Sequence, residues 1–217
     1  MRIVPVKTPT VVKKLLPDYI WEVSNIDNAI YLTFDDGPTP EITNWTLNQL
    51  KEYNALATFF CIGSNIKKHP KIFQNILEEG HTIGNHTNTH LKGWQTNKKD
   101  YILDIENCQS IINSEISGRN NSGTKLFRPP YGQIKPKQGK ALLDLNYKII
   151  MWNVLSFDWD NSISSKTCLN NVITKTEPGS IIVFHDSNKA YKNLKYTLPR
   201  VLKHFKDKNY VFKRLEF

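Results

Sequence analysis

No stretch of the 217 residues stays apolar over the roughly 18–20 positions that a membrane-crossing helix needs, so a helical membrane span is not expected. Cysteine is scarce. Cys61, Cys108 and Cys168 are odd in number, widely spaced and without a Cys-x-x-Cys pair, which argues against a disulfide framework and a thiolate zinc site. Internal repeats and low-complexity tracts are absent, which leaves no solenoid and no disordered linker to account for. The opening Met1-Arg2-Ile3-Val4 starts like a signal peptide. Pro5, Lys7, Pro9 and Lys13-Lys14 then break any apolar core of the usual length of about 7–15 residues, so no export signal is recognised. Acidic residues are outnumbered, 20 against 29 Lys and Arg, for a net charge of +9. The excess is dispersed as short pairs such as Lys67-Lys68 and Lys98-Lys99 and a lysine-rich region from Lys189 to Arg214, with no basic helix. A nucleic-acid partner is therefore not expected; attraction to an anionic polymer is the better match.

Hydrophobic content of 39% over this length supports one domain with a sizeable core. The organising stretch is Ile30-Tyr31-Leu32-Thr33-Phe34-Asp35-Asp36-Gly37-Pro38. Its first half suits a buried strand. It then delivers two adjacent carboxylates and stops, because Gly-Pro cannot continue a strand. An isolated Asp-Asp-Gly-Pro is ordinarily a polar turn. Other polar groups gathered at strand ends make this one worth more.

Residues 1–28 read as an N-terminal extension, with a short helix from Val11 to Leu16, and residues 29–217 as the domain. Thr39 is the expected cap of the next helix, with Pro40 at its first position. A strand over Ala57–Ile62 and one helix from Asn65 to Glu79 follow, stopped by Gly80. A short strand Thr82–Asn85 leads into His86-Thr87-Asn88-Thr89-His90. A long helix spans Lys98 to Ile116, a polar loop Ser117 to Thr124, and Lys125-Leu126-Phe127 runs into Arg128-Pro129-Pro130-Tyr131-Gly132. Helices are expected at Pro136–Leu145, Thr167–Thr176 and Tyr191–Phe205. Strands are expected at Lys148–Val154, Ser180–Asp186 and Tyr210–Leu215. Regular alternation predicts a parallel sheet with helices outside: an α/β fold, either a distorted or incomplete (β/α) barrel or an open doubly wound sheet. Both place function at the C-terminal strand ends, where the polar clusters fall.

His86 and His90 are four residues apart, so one helical turn would bring their Cβ atoms to about 5–6 Å. With Asp36 they would make a two-histidine, one-carboxylate metal set that keeps coordination positions open. His81 lies about 16 Å away along a strand and cannot easily join. His69 and His204 read as solvated surface residues.

In these residues the chain resembles the polysaccharide deacetylases with the NodB homology domain, carbohydrate esterase family 4. Thr33-Phe34-Asp35-Asp36-Gly37, His86-Thr87-x-x-His90 and Arg128-Pro129-Pro130-Tyr131-Gly132 are similar to its first three motifs. Asp158-Trp159 resembles the end of the fourth and Val183-Phe184-His185 the fifth. The resemblance runs from about residue 29 to the C-terminus and selects the NodB-type distorted barrel. It implies a divalent metal on Asp36, His86 and His90, zinc first, with cobalt, manganese or nickel as alternatives. It further implies Asp35 as general base paired with Arg128, and His185 as general acid oriented by Asp158. The Tyr131 N–H would contribute to the oxyanion site, and Trp159 and Val183 would wall the acetyl pocket.

Two positions depart from the family pattern. Leu155 stands where many members have Asp, and Val183 where Leu is usual; neither removes a catalytic group. The implied activity is removal of N-acetyl groups from N-acetylglucosamine glycans of the peptidoglycan or chitin type, with the acetylated glycan as partner. An O-acetyl esterase on xylan and a non-catalytic glycan- or metal-binding module are the alternatives. The family usually acts outside the cytoplasm, which stands against the missing export signal; oligomeric state is left open.

Overall fold

The computed structural model describes residues 5–24, 27–116 and 124–217. The first four residues, and all but the last residue of the loop expected over Ser117–Thr124, lie outside it. The strands are β1 (Ala29–Asp35), β2 (Ala57–Cys61), β3 (Thr82–Asn85), β4 (Lys125–Phe127), β5 (Tyr147–Ile149), β6 (Val154–Leu155), β7 (Ile181–His185) and β8 (Val211–Phe212). The helices are α1 (Thr10–Leu15), α2 (Ile42–Glu52), α3 (Gly63–Lys68), α4 (Pro70–Glu78), α5 (Lys98–Glu115), α6 (Pro136–Asp144), α7 (Ser165–Lys175) and α8 (Tyr191–Asp207).

The strands form one parallel sheet in the order β5-β4-β3-β2-β1-β7-β6, with β8 beside the start of β1. Every residue of β1 is buried, as expected of a strand with layers on both faces. Phe34 stacks between Phe59 of β2 and Phe184 of β7, ring centroids 5.0 and 5.9 Å away. Burying each such ring contributes roughly 1.5–3 kcal/mol. All three cysteines are free and buried.

The two edge strands, β5 and β6, are consecutive in the chain. The short link from Ile149 to Val154 can span at most about 17 Å, so the sheet must curl until its edges nearly meet. The result is a barrel left open at one seam. Residues 5–24, set apart as an extension in the sequence reading, run along that seam. Ile20 bridges Ile150, its N–H donating to the Ile149 carbonyl and its carbonyl accepting from Met151. Leu155 N–H donates to Val6 and Thr8 N–H to Asn153. Tyr19 and Trp21 are buried against Leu142 and Met151.

Several expectations are corrected. The helix expected over Asn65–Glu79 is two, α3 and α4. The Pro70 ring bars a helical backbone at His69 (φ −133°, ψ 54°), and Pro70 then opens α4. Thr39 does not cap α2. Glu41 is left-handed (φ 63°), the helix starts at Ile42, and the Thr39 N–H donates to the Thr43 hydroxyl. The strand expected over Lys148–Val154 is split into β5 and the start of β6, because the chain crosses the seam between them. His69 and His204 are half-buried rather than solvated, with His204 edge-on to Phe205.

Candidate active site

The parallel order brings the C-terminal ends of β1, β3, β4, β6 and β7 to one rim. Asp35 ends β1 and His185 ends β7, and the two are registered side by side. Arg128 follows β4, and its N–H donates to the Asn85 carbonyl at the end of β3.

Arg128 is fully buried and its guanidinium is bonded on every side. Nη1 donates to Asp35 Oδ1 at 2.8 Å and to the Thr33 hydroxyl at 2.6 Å. Nε donates to the Ile150 carbonyl and Nη2 to that of Met151, at 3.2 and 2.9 Å, over the Phe60 ring at 4.1 Å. A charge this deep is tolerable only when so satisfied. The acceptors at Ile150 and Met151 belong to the seam.

Asp36 takes a left-handed turn (φ 79°) that carries its carboxylate away from Asp35 toward the histidines. His86 and His90 do converge, their rings 5.1 Å apart. They do so without the helical turn that the four-residue spacing suggested. Thr87 (φ 65°) and His90 (φ 60°) are left-handed residues of a loop. That loop is held by Asn85 Oδ1, which accepts from the Thr87 N–H, and by Asp104 of α5, which accepts from Asn88 and Thr89.

The set suits a metal. Asp36 Oδ1 lies 3.2 Å from His90 Nε2 and 3.7 Å from His86 Nε2, and the three donor atoms lie within 4.8 Å of one another. Tetrahedral ligands at 2.0–2.1 Å stand about 3.3 Å apart. His86 Nδ1 faces the Arg128 carbonyl at 2.8 Å, and a carbonyl only accepts, so the proton sits on Nδ1 and Nε2 keeps its lone pair for a ligand. Burial pushes the His86 pKa down to about 4, against the pull of Asp35, favouring that neutral form. Burial works to raise the Asp36 pKa. The hydrogen bond to His90 and the charges of His185, His86 and His90 overcome it and hold the carboxyl well below the usual range.

On the other side, His185 Nδ1 contacts Asp158 Oδ1 at 2.8 Å, and the His185 backbone N–H donates to Asp158 Oδ2 at 2.7 Å. Burial disfavours a charge here, but Asp158 outweighs it and raises the His185 pKa to about 9. Asn193 of α8 donates to the Asp158 carbonyl and fixes that turn. Trp159 stacks on Phe157 and meets His185 edge-on, centroids 4.8 Å apart. Val183 is buried two residues before His185 on β7. Tyr131, left-handed in a single 3-10 turn, lays its exposed ring 4.7 Å from His90. All ten residues singled out in the sequence thus stand on or beside this rim. His81 stays apart, its Nδ1 accepting the Ala57 N–H.

Sequence reasoning missed Thr33, Thr43, Asp104, Asn193 and above all Asp186. Asp186 is fully buried behind His185, its carboxyl accepting from the Thr43 hydroxyl. Burial pushes its pKa up to about 8; Thr43 opposes the shift and Asp36 and Asp35 reinforce it. The signal available was a second acid directly after a strand-end histidine.

The family model described as polysaccharide deacetylase matches residues 22–150. A peptidoglycan-N-acetylglucosamine deacetylase of Bacillus cereus is 40% identical over 158 residues, 73% of this chain and 56% of the relative. A second from the same species is 31% identical over 194 residues, 88% of each chain. The crystal structure of a peptidoglycan N-acetylglucosamine deacetylase superposes with a TM-score of 0.85 at 33% identity, covering 96% of this chain and 95% of the other. The chain therefore spans little more than half of the first relative and nearly all of the other two.

Proposed function

Because this chain belongs to the polysaccharide deacetylase family, we propose that it hydrolyses the N-acetyl groups of N-acetylglucosamine units in a peptidoglycan- or chitin-like glycan, releasing acetate. One observation carries the reading. The Asp36, His86 and His90 donors converge between an Asp35–Arg128 pair and a His185–Asp158 pair, so a reacting amide would have a base on one side and an acid on the other.

A divalent ion, zinc first, would be held by Asp36, His86 and His90 and would supply Lewis acidity toward the acetyl carbonyl and a water. Asp35 acts as the base, taking the proton of the attacking water as the new C–O bond forms. Arg128 occupies its Oδ1, which leaves Oδ2 for that proton. His185 delivers a proton to the departing nitrogen as the C–N bond breaks. Its Nδ1 is committed to Asp158, so Nε2 is the donating atom, and a pKa near 9 keeps it charged at neutral pH. The Tyr131 N–H adds a donor for the developing oxyanion. Trp159 and Val183 close the acetyl pocket with apolar surface.

Acetate release decides the matter when measured on N-acetylglucosamine oligomers, peptidoglycan and acetylated xylan, with chelator and with zinc restored. The expected result is turnover on the N-acetylated glycans that chelation abolishes and zinc restores. Faster release from xylan would make the chain an O-acetyl esterase. Zinc binding without turnover on any of the three would make it a binding module.

A further inference from the structure

We propose that Asp186 is a positioning residue for the metal-ligating turn, acting as a wedge that fixes the loop from Asp36 to Thr43. The proposal rests on the reading of Asp36 as a metal ligand given above. The Asp186 N–H donates to the Asp35 carbonyl at 3.2 Å. Its carboxyl lies flat against Gly37, where an added Cβ would come within 2.1 Å of Oδ2 and 2.6 Å of Oδ1. Oδ2 accepts from the Thr43 hydroxyl, and that oxygen in turn accepts the Thr39 N–H at 2.7 Å. One side chain thus touches both ends of the loop.

The opposite side of the same loop is pinned by Asn65 Nδ2 on the Asp36 carbonyl at 2.8 Å and by the Ile62 N–H on the Gly37 carbonyl at 3.0 Å. Without Asp186 the Asp36–Gly37 turn would be held from one side only. Such a hold matters because a left-handed aspartate persists only where its surroundings over-determine it. Oδ1 of Asp186 is enclosed and has no hydrogen-bond partner among the described residues. A buried carboxyl with half its capacity unused is a poor choice for stability alone, since an apolar side chain of that size would be better there.

The test is calorimetric titration of zinc chloride into chelator-stripped protein, with thermal melts alongside. Wild type is titrated first: failure to bind zinc would remove the metal reading and this proposal with it. With wild type binding, Asp186→Ala should weaken zinc affinity by about 10- to 100-fold, the range for residues that orient metal ligands. Asp186→Asn, which keeps both the wedge and an acceptor for Thr43, should restore affinity to within a few fold. Wild-type affinity in a folded Asp186→Ala protein would overturn the proposal, and so would equal losses in both variants, which would indicate a charge effect. If Asp186→Ala does not fold, Thr43→Val reads the same contact. A several-fold loss of affinity supports the wedge, and unchanged affinity overturns it.

Discussion

The two adjacent aspartates differ in what surrounds them, and single substitutions should separate their duties. Asp35 touches Arg128 while Asp36 faces the imidazoles. Asp35→Asn should retain zinc by calorimetry and lose about 10²–10⁴-fold in kcat by acetate release, whereas His86→Ala should lose both. His185 offers a pH test. Its pKa is raised to about 9 against an unfolded value of about 6.5. As the proposed general acid, His185 is therefore charged below that value, and the kcat profile should fall on an alkaline limb near 9. In Asp158→Asn burial is opposed only by the charges of Asp36 and Asp35, so the limb should move to lower pH. The same shift contributes stability that is complete below about pH 6.5 and lost as pH rises through about 9. Denaturant melts of wild type and Asp158→Asn should differ most at the acid end of that window.

At the scale of elements, the loop from His86 to His90 depends on a helix it does not belong to. Asp104 on α5 bonds two of its amides, so Asp104→Ala should weaken zinc binding about tenfold. Asn97 caps the same helix, accepting from the Asp100 N–H, and Asn97→Ala should cost about 1 kcal/mol in melts with zinc affinity unchanged. The contrast explains what was legible. The strand β1 and its terminus could be read because β-branched and aromatic residues run straight into Asp-Asp-Gly-Pro, a local signal. The convergence of His86 and His90 could be anticipated from their types, but not its geometry, since the loop that carries left-handed Thr87 and His90 is held at Asn88 and Thr89 by Asp104, many residues on. Pro70 is a legible stop, but the apolar period through Ile66, Phe73 and Ile76 runs across it and points to a single helix. The role of Asp186 was invisible because its partners, Gly37 and Thr43, come from the far end of the chain.

For the molecule as a whole, buried histidines set the acid limit. Burial lowers the pKa of both His81 and His86 to about 4. Their contribution to stability is present above about pH 6.5 and is lost as pH falls toward about 4, because the unfolded chain takes up protons that the folded one refuses. Metal-free protein should therefore show falling denaturation midpoints across that interval. The dispersed net charge of +9 suits contact with an anionic polymer without a dedicated binding face.

The seam has a reach beyond closing the barrel. The strap around Ile20 holds the Ile149–Met151 backbone, and the Ile150 and Met151 carbonyls hold Arg128, which holds Asp35. Deleting residues 1–24 should lower both the melting temperature and kcat while zinc still binds. What looks like a loose extension is the far link of a tether to the proposed base, and cutting it would slacken the site from a distance.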